Sequence, residues 1–83
     1  MVDTKLLQEE MRKNGYTLET LAKEIGRSRT GLFNKIHNIR EFRISEINNI
    51  SILLKLKKTD VNRIFFANDV ELKSTKTTNT TTQ

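Results

Sequence analysis

The strongest constraint on the fold of this 83-residue chain is a pair of short helical patterns between Thr17 and Ile36. In the first pattern, apolar residues recur at helical spacing from Leu18 to Ile25. Thr17 is suited to cap this helix, because its hydroxyl can accept a hydrogen bond from an unpaired backbone N–H. Gly26 follows, and a residue without Cβ adopts the left-handed turn conformation at little steric cost. The sequence therefore predicts a helix that ends in a tight turn.

A second helix is predicted from Arg29 to His37, with Ser28 as its N-terminal cap. Leu32 and Ile36 lie one turn apart on this helix and are predicted to be buried. The opposite side would carry Thr30, Asn34 and His37, flanked by Arg29 and Phe33. This outward side is rich in groups that can contact DNA bases.

Two residues of this helix allow more than one interpretation. Gly31 is unusual in a helix interior, where glycine costs about 1 kcal/mol relative to alanine. Either a close approach of the backbone to a partner or simple tolerance of glycine in a first turn would explain it. Phe33 could pack on the edge of the core or project toward a thymine methyl group.

The order of Ala22, Gly26, Ser28 and Leu32 resembles the helix-turn-helix of the Cro and XRE class of phage and bacterial regulators. The residues that follow are similar to small regulators of the lysogeny switches of Gram-positive phages, namely Cro-like repressors and the antirepressor Mor. They are Lys35 to Asn38, Phe42, Glu46, Ile47, Leu53, Leu54, Phe65 and Phe66. The resemblance covers roughly residues 5 to 66. It implies an all-α, compact five-helix domain of the lambda-repressor type.

The resemblance and the side-chain chemistry together give candidate DNA contacts. The predicted base-contacting residues are Arg29, Thr30, Phe33 and Asn34. Arginine pairs well with guanine through two hydrogen bonds, and asparagine does the same with adenine. The predicted phosphate-contacting residues are Thr17, Arg27, Ser28, Lys35, Arg40 and Arg43. Leu18 departs from the family, which often has a glutamine there that binds phosphate, so Thr17 or its backbone is the expected substitute.

Charge is distributed unevenly along the chain. The formal net charge is +5, and residues 27 to 43 hold five basic side chains and one acidic one, a balance of +4. Because the DNA backbone attracts such a basic band, the distribution favours a nucleic acid partner. The alternative is a solvated basic face without a partner.

Composition argues against several other classes of protein. The length suits one small domain, and the absence of cysteine excludes disulfides and cysteine-based metal or redox sites. With His37 as the single histidine, no metal site and no cofactor are predicted. No long apolar run or signal-type N-terminus occurs, so a soluble cytoplasmic protein without a membrane partner is expected. The sequence shows no catalytic nucleophile paired with a general base and no phosphate-binding glycine loop. An enzyme with a small-molecule substrate is therefore not expected.

The remaining helices are predicted from the same rules. A first helix should run from Asp3 or Thr4 to Asn14, and a fourth from Ser45 or one residue earlier to Lys55. A fifth should be capped by Thr59 or Asp60 and extend through Phe66. In the loop after the third helix, Asn38 is expected in the left-handed conformation and Phe42 is expected to anchor the loop in the core.

The C-terminal part of the chain suggests a dimer and a tail. Ile64, Phe65 and Phe66 are predicted to form a symmetric dimer interface, because two adjacent phenylalanines cannot both face one small core. The alternative is that the C-terminal segment folds back over both. The helix-turn-helix domain is assigned to residues 1–67, and residues 68–73 alternate like a short extended segment or belong to a ragged tail. Residues 74–83 are threonine-rich and expected to be disordered.

Two functions are compatible with these features. The first is a Cro-like transcriptional repressor, a homodimer that inserts its third helix into the major groove of a double-stranded DNA operator. The second is a Mor-like antirepressor that binds the phage repressor protein and blocks its DNA-binding surface. The basic band favours DNA, whereas Leu18, Gly31 and Phe33 on or near the same face would suit a protein partner.

Overall fold

The computed structural model of the protein describes residues 1–66. Five α-helices follow one another along the chain: α1 Thr4–Lys13, α2 Leu18–Glu24, α3 Arg29–Ile36, α4 Ile44–Leu53 and α5 Lys58–Phe65. These residues contain no strand, which confirms the prediction of an all-α, five-helix fold. The predicted boundary at residue 67, the extended segment 68–73 and the tail 74–83 lie outside the described residues.

Aspartate side chains stabilise the starts of the first and last helices, but from different positions. The carboxylate of Asp3 accepts a hydrogen bond at 3.1 Å from the backbone N–H three residues later, so Asp3 caps α1 and the helix begins at Thr4. The prediction that Thr59 or Asp60 caps α5 was wrong, because the helix already begins at Lys58. Asp60 instead lies in the first turn, where it accepts a hydrogen bond from the backbone N–H of Lys57 at 3.3 Å. The same carboxylate thus stabilises the helix start from a different position.

The first four helices end in the same way, each with a residue in the left-handed conformation. These residues are Gly15, Gly26, Asn38 and Lys55, with φ values of +78°, +71°, +65° and +55°. In each case this residue and the next donate their backbone N–H groups to carbonyls of the last helical turn. The left-handed conformation predicted for Asn38 is confirmed. The one at Lys55 was not predicted, because lysine has no preference for it.

The core lies where the five helices meet. Its fully buried side chains come from every helix or its end, and include Leu7, Leu21, Leu32, Ile36, Ile50, Leu54 and Ile64. Phe42 packs against this core as predicted, with its ring edge-on to that of Phe65 at a centroid distance of 5.3 Å. The burial of Leu32 and Ile36 fixes which side of α3 faces solvent.

The N-terminal segment ties α3 to α5. The backbone N–H of Asp3 donates to the carbonyl of Ile64 at 2.7 Å, and the hydroxyl of Thr4 donates to the carbonyl of Ile36 at 2.7 Å. The amide side chain of Asn38 accepts from the N–H of Val2 at 2.7 Å and donates to its carbonyl at 3.0 Å. The C-terminal end of α3 is therefore held in place by residues from the start of the chain.

Candidate nucleic-acid interface

The turn between α2 and α3 is built by local hydrogen bonds. At the start of α2, the hydroxyl of Thr17 accepts from the N–H of Thr20 at 3.1 Å, and the hydroxyl of Thr20 accepts from the N–H of Thr17 at 2.8 Å. At its end, Gly26 and Arg27 donate their backbone N–H groups to α2 carbonyls at 3.2 and 2.8 Å. Thr17 as the cap of α2 and Gly26 as the left-handed turn residue are confirmed, and the chain turns directly into α3.

The start of α3 is capped and exposed. Ser28 accepts a hydrogen bond from the N–H of Gly31 at 3.0 Å, as predicted for the cap. A Cβ placed on Gly31 would lie 3.0 Å from the Ser28 hydroxyl, closer than most real Cβ contacts. A side chain at position 31 would therefore crowd the cap, which offers a further reason for the glycine.

The outward side of α3 carries the predicted base-contacting residues. Arg29, Thr30 and Phe33 are exposed, and Asn34 is half-buried. The ring of Phe33 is exposed rather than packed into the core edge, and lies 4.2 Å from the ring of His37 between centroids. Arg29 lies 3.8 Å from the carboxylate of Glu19 on α2, and both side chains are exposed. These side chains form one continuous face.

The predicted phosphate-contacting residues separate into two groups. Thr17, Ser28, Arg40 and Arg43 are exposed, and neither Arg40 nor Arg43 forms an ion pair with any described residue. Arg27 and Lys35 are both bound to the carboxylate of Glu46. The side chain of Lys35 is only 12 % exposed, so it can reach a phosphate only by giving up a partially buried ion pair.

Glu46 is the buried centre of this ion cluster, with a relative exposure of 2 %. Lys35 donates to both of its carboxylate oxygens, at 2.8 and 2.6 Å, and Arg27 donates to one of them. The backbone N–H of Arg43 donates to the other at 2.8 Å. This last bond stabilises the start of α4, which begins at Ile44. Glu46 thus connects the turn before α3, the last turn of α3 and the start of α4.

The surroundings of Glu46 keep it ionised. Burial raises the pKa of this carboxyl group, but the hydrogen bonds from Lys35, the Arg43 backbone and Arg27 outweigh burial and lower the pKa from 4.5 to about 2. Because the group remains charged, it neutralises part of the basic band. Sequence reasoning missed this, since Glu46 lies 19 and 11 residues from its two cationic partners. A local signal existed, because a glutamate three residues after Arg43 suits the start of a helix.

The predicted dimer residues occupy different environments. Ile64 and Phe65 are buried within the protomer, with relative exposures of 1 % and 3 %. Phe66 is half-buried and lines a cleft of about 360 Å³ together with Phe42 and the edge of the buried Phe65. Of the three predicted interface residues, only Phe66 therefore remains at the surface.

Residues 1–66 include no cluster of three or more histidine, cysteine, aspartate or glutamate side chains that could hold a metal ion. Over the same range, no helix combines the length and apolar character needed to cross a membrane. Comparison of the chain with protein-family models, curated proteins and solved structures gives no match.

Proposed function

We propose that this protein is a sequence-specific transcriptional regulator that inserts the start of α3 into the major groove of double-stranded DNA. The observation that carries the proposal is that Arg29 and Thr30 are exposed on the capped first turn of α3, directly after the turn at Gly26. A recognition helix of a helix-turn-helix protein reads base edges with its N-terminal residues. The resemblance to Cro-like repressors supports the same arrangement.

Each of the predicted contact residues suits a definite role. Arg29 is the candidate for a two-pronged contact to guanine, and its pair with Glu19 is no obstacle, since exposed ion pairs at such distances contribute little. Asn34 is the candidate for adenine. Arg40 and Arg43, in the segment that follows α3, would hold the phosphate backbone and so fix the orientation of the helix.

The proposed cellular role is that of a Cro-like repressor in the cytoplasm of a bacterial or phage-infected cell. A homodimer would place two copies of α3 on half-sites about one helical turn apart. The operator would then be a pseudo-palindrome. Footprinting of a selected site that revealed a single asymmetric half-site would contradict this arrangement.

The experiment that tests base reading is repeated selection of duplexes from a randomised pool, followed by titration of the enriched sequence and single-base variants. Arg29→Ala should weaken binding to the enriched sequence by about 1 to 3 kcal/mol and relax the preference at one base pair. The matched control is Lys5→Ala, which removes an exposed positive charge on α1 and should leave that preference unchanged. Equal weakening on every sequence would assign Arg29 to the backbone, and no enrichment from the pool would contradict sequence-specific binding.

A second candidate function is favoured by a cleft of mixed apolar and charged lining beside the same face. Tyr16, Leu18 and Phe33 line this cleft of about 280 Å³, together with Arg12 and Arg29. Such a mixed surface suits a protein partner, as a Mor-like antirepressor requires. The two functions differ in a gel shift that contains the repressor and operator of the same phage. An antirepressor removes the phage repressor from the operator, so the band of free operator returns. A DNA-binding repressor shifts the operator even when the phage repressor is absent.

A further inference from the structure

The outer face of α4 differs from those of the other four helices of residues 1–66, because it exposes no charged side chain. The only ionisable residue of α4 is Glu46, which is buried. The exposed residues are Ile44, Ser45, Asn48, Asn49 and Ile52. Charged residues make up 30 % of the chain, so their absence from this face is unusual. Two large apolar side chains stand on it, with Ile44 65 % exposed and Ile52 74 % exposed.

One row of exposed, uncharged residues on this face is arranged for helix packing. Ile44, Asn48 and Ile52 follow one another at intervals of four residues, so they form a single row along the helix. The two isoleucines are separated by about 12 Å along the helix axis, with the asparagine midway between them. Rows of this spacing are the ridges that pack into the grooves of a facing helix. We call this row the α4 ridge.

We propose that the α4 ridge binds a second copy of the same chain, with the two helices antiparallel and a twofold axis at Asn48. Antiparallel packing about this point places Ile44 against Ile52 of the partner subunit at both ends of the contact. Asn48 then faces Asn48 of the partner subunit, where an amide can donate one hydrogen bond and accept another. The ridge is thus complementary to itself, which a twofold contact requires.

Charge supports a second copy as the occupant. The chain has a net charge of +5, so most contacts between identical copies would bring like charges together. At a twofold axis each residue approaches its own counterpart, and a charged residue there would repel itself. The α4 ridge carries no charged residue, so two copies of it do not repel each other at the axis. The ridge is also far more exposed than Ile64 and Phe65, which are buried in the protomer.

The size of the contact sets the expected affinity. A pair of ten-residue helices buries less than the roughly 1,200 to 2,000 Å² of stable protein–protein interfaces. The dimer should therefore be weak and depend on protein concentration. Sedimentation equilibrium of the full chain up to about 1 mM, where contacts worth about 4 kcal/mol are half-formed, should show the average mass rising toward that of a dimer. A monomer at every concentration would overturn the proposal.

Charge substitutions test the orientation of the two helices. Ile44→Glu with Ile52→Glu should weaken association about tenfold or more, because the partner subunit then opposes like charges. Ile44→Glu with Ile52→Lys should restore association, because antiparallel packing pairs each glutamate with a lysine of the partner subunit. The matched control is Ile39→Ser, which removes an isoleucine of similar exposure, 66 %, from the loop before α4. Equal association of the two double variants would overturn the proposed contact.

A single cysteine gives a readout that does not depend on the double variants. The chain has no cysteine, so Asn48→Cys introduces the only thiol, and it lies at the proposed axis. Under mild oxidation this variant should form a disulfide-linked dimer faster than Asn62→Cys, an equally conservative change at an exposed position on α5. Circular dichroism and thermal unfolding verify that both variants are folded. Equal rates of cross-linking would overturn the placement of the axis at Asn48.

Discussion

Glu46 contributes to the fold through its charge. The carboxylate is buried but accepts hydrogen bonds from Lys35, from Arg27 and from a backbone N–H at the start of α4. A buried carboxylate with such partners stabilises the folded state only while it is ionised, and removal of one member leaves the others unpaired. Since Lys35 belongs to the last turn of α3, the ionised cluster also holds that end of α3 against the start of α4.

Glu46→Gln should destabilise the protein by about 3 kcal/mol at neutral pH, because it leaves a partially buried Lys35 without its counter-charge. The folded-state pKa of about 2 lies below the ordinary value of 4.5. The stabilisation is therefore complete above pH 4.5 and is lost as the pH falls toward 2. Urea unfolding across this range should show a smaller loss of stability on acidification for the glutamine variant than for the wild type.

The control for this measurement is Glu41→Gln, which removes an exposed carboxylate from the loop before α4. Its effect on stability at neutral pH should stay within about 0.5 kcal/mol, as for surface substitutions in general. Equal effects of the two glutamine variants would show that the buried ion cluster does not stabilise the fold.

The helices show what local sequence can and cannot determine. Thr17 and Ser28 each cap a helix as predicted, because a cap depends on backbone groups within three residues. Which side chains become buried is less predictable. Two adjacent phenylalanines were not expected to face one core together, but the sequence did not indicate which would be buried. Phe65 is the buried one, and its ring meets Phe42 from a distant loop. The Glu46 cluster was not predicted because its members are distant in sequence and come together only when α3 and α4 pack.

The residue that turns the chain at the end of α4 is Lys55, which has an unfavourable backbone conformation. Lys55 adopts a φ of +55°, a conformation that costs a residue with a Cβ about 1 to 2 kcal/mol. Lys55→Gly should therefore stabilise the protein by up to about 1 kcal/mol, after the greater freedom of glycine in the unfolded chain is subtracted. Lys55→Ala removes the same charge but retains the strain, so it should not be stabilising. Chemical denaturation of both variants tests this, and a gain in stability with alanine would attribute the effect to charge.

At the scale of the whole molecule, folding redistributes the charge that the sequence displays. Residues 27 to 43 have a balance of +4 along the chain, but the fold places the buried Glu46 against two of these cations. The cations left without a buried partner in this segment are Arg29, Arg40 and Arg43. The part of the basic band that has no buried counter-charge is therefore narrower than the sequence suggests.

The pairing of some cations with Glu46 predicts which cations would contribute to the salt dependence of the proposed DNA binding. The logarithm of the binding constant falls with the logarithm of salt concentration, by a slope of about 0.9 for each phosphate that is neutralised. Arg40→Gln and Arg43→Gln should each reduce this slope by about one. Arg27→Gln should leave it nearly unchanged, because this guanidinium is bound to Glu46. Fluorescence anisotropy titrations of a labelled duplex over a range of salt concentrations measure the slope. A reduction of about one for Arg27→Gln as well would mean that Arg27 leaves Glu46 for the DNA backbone, and that the ion cluster opens on binding.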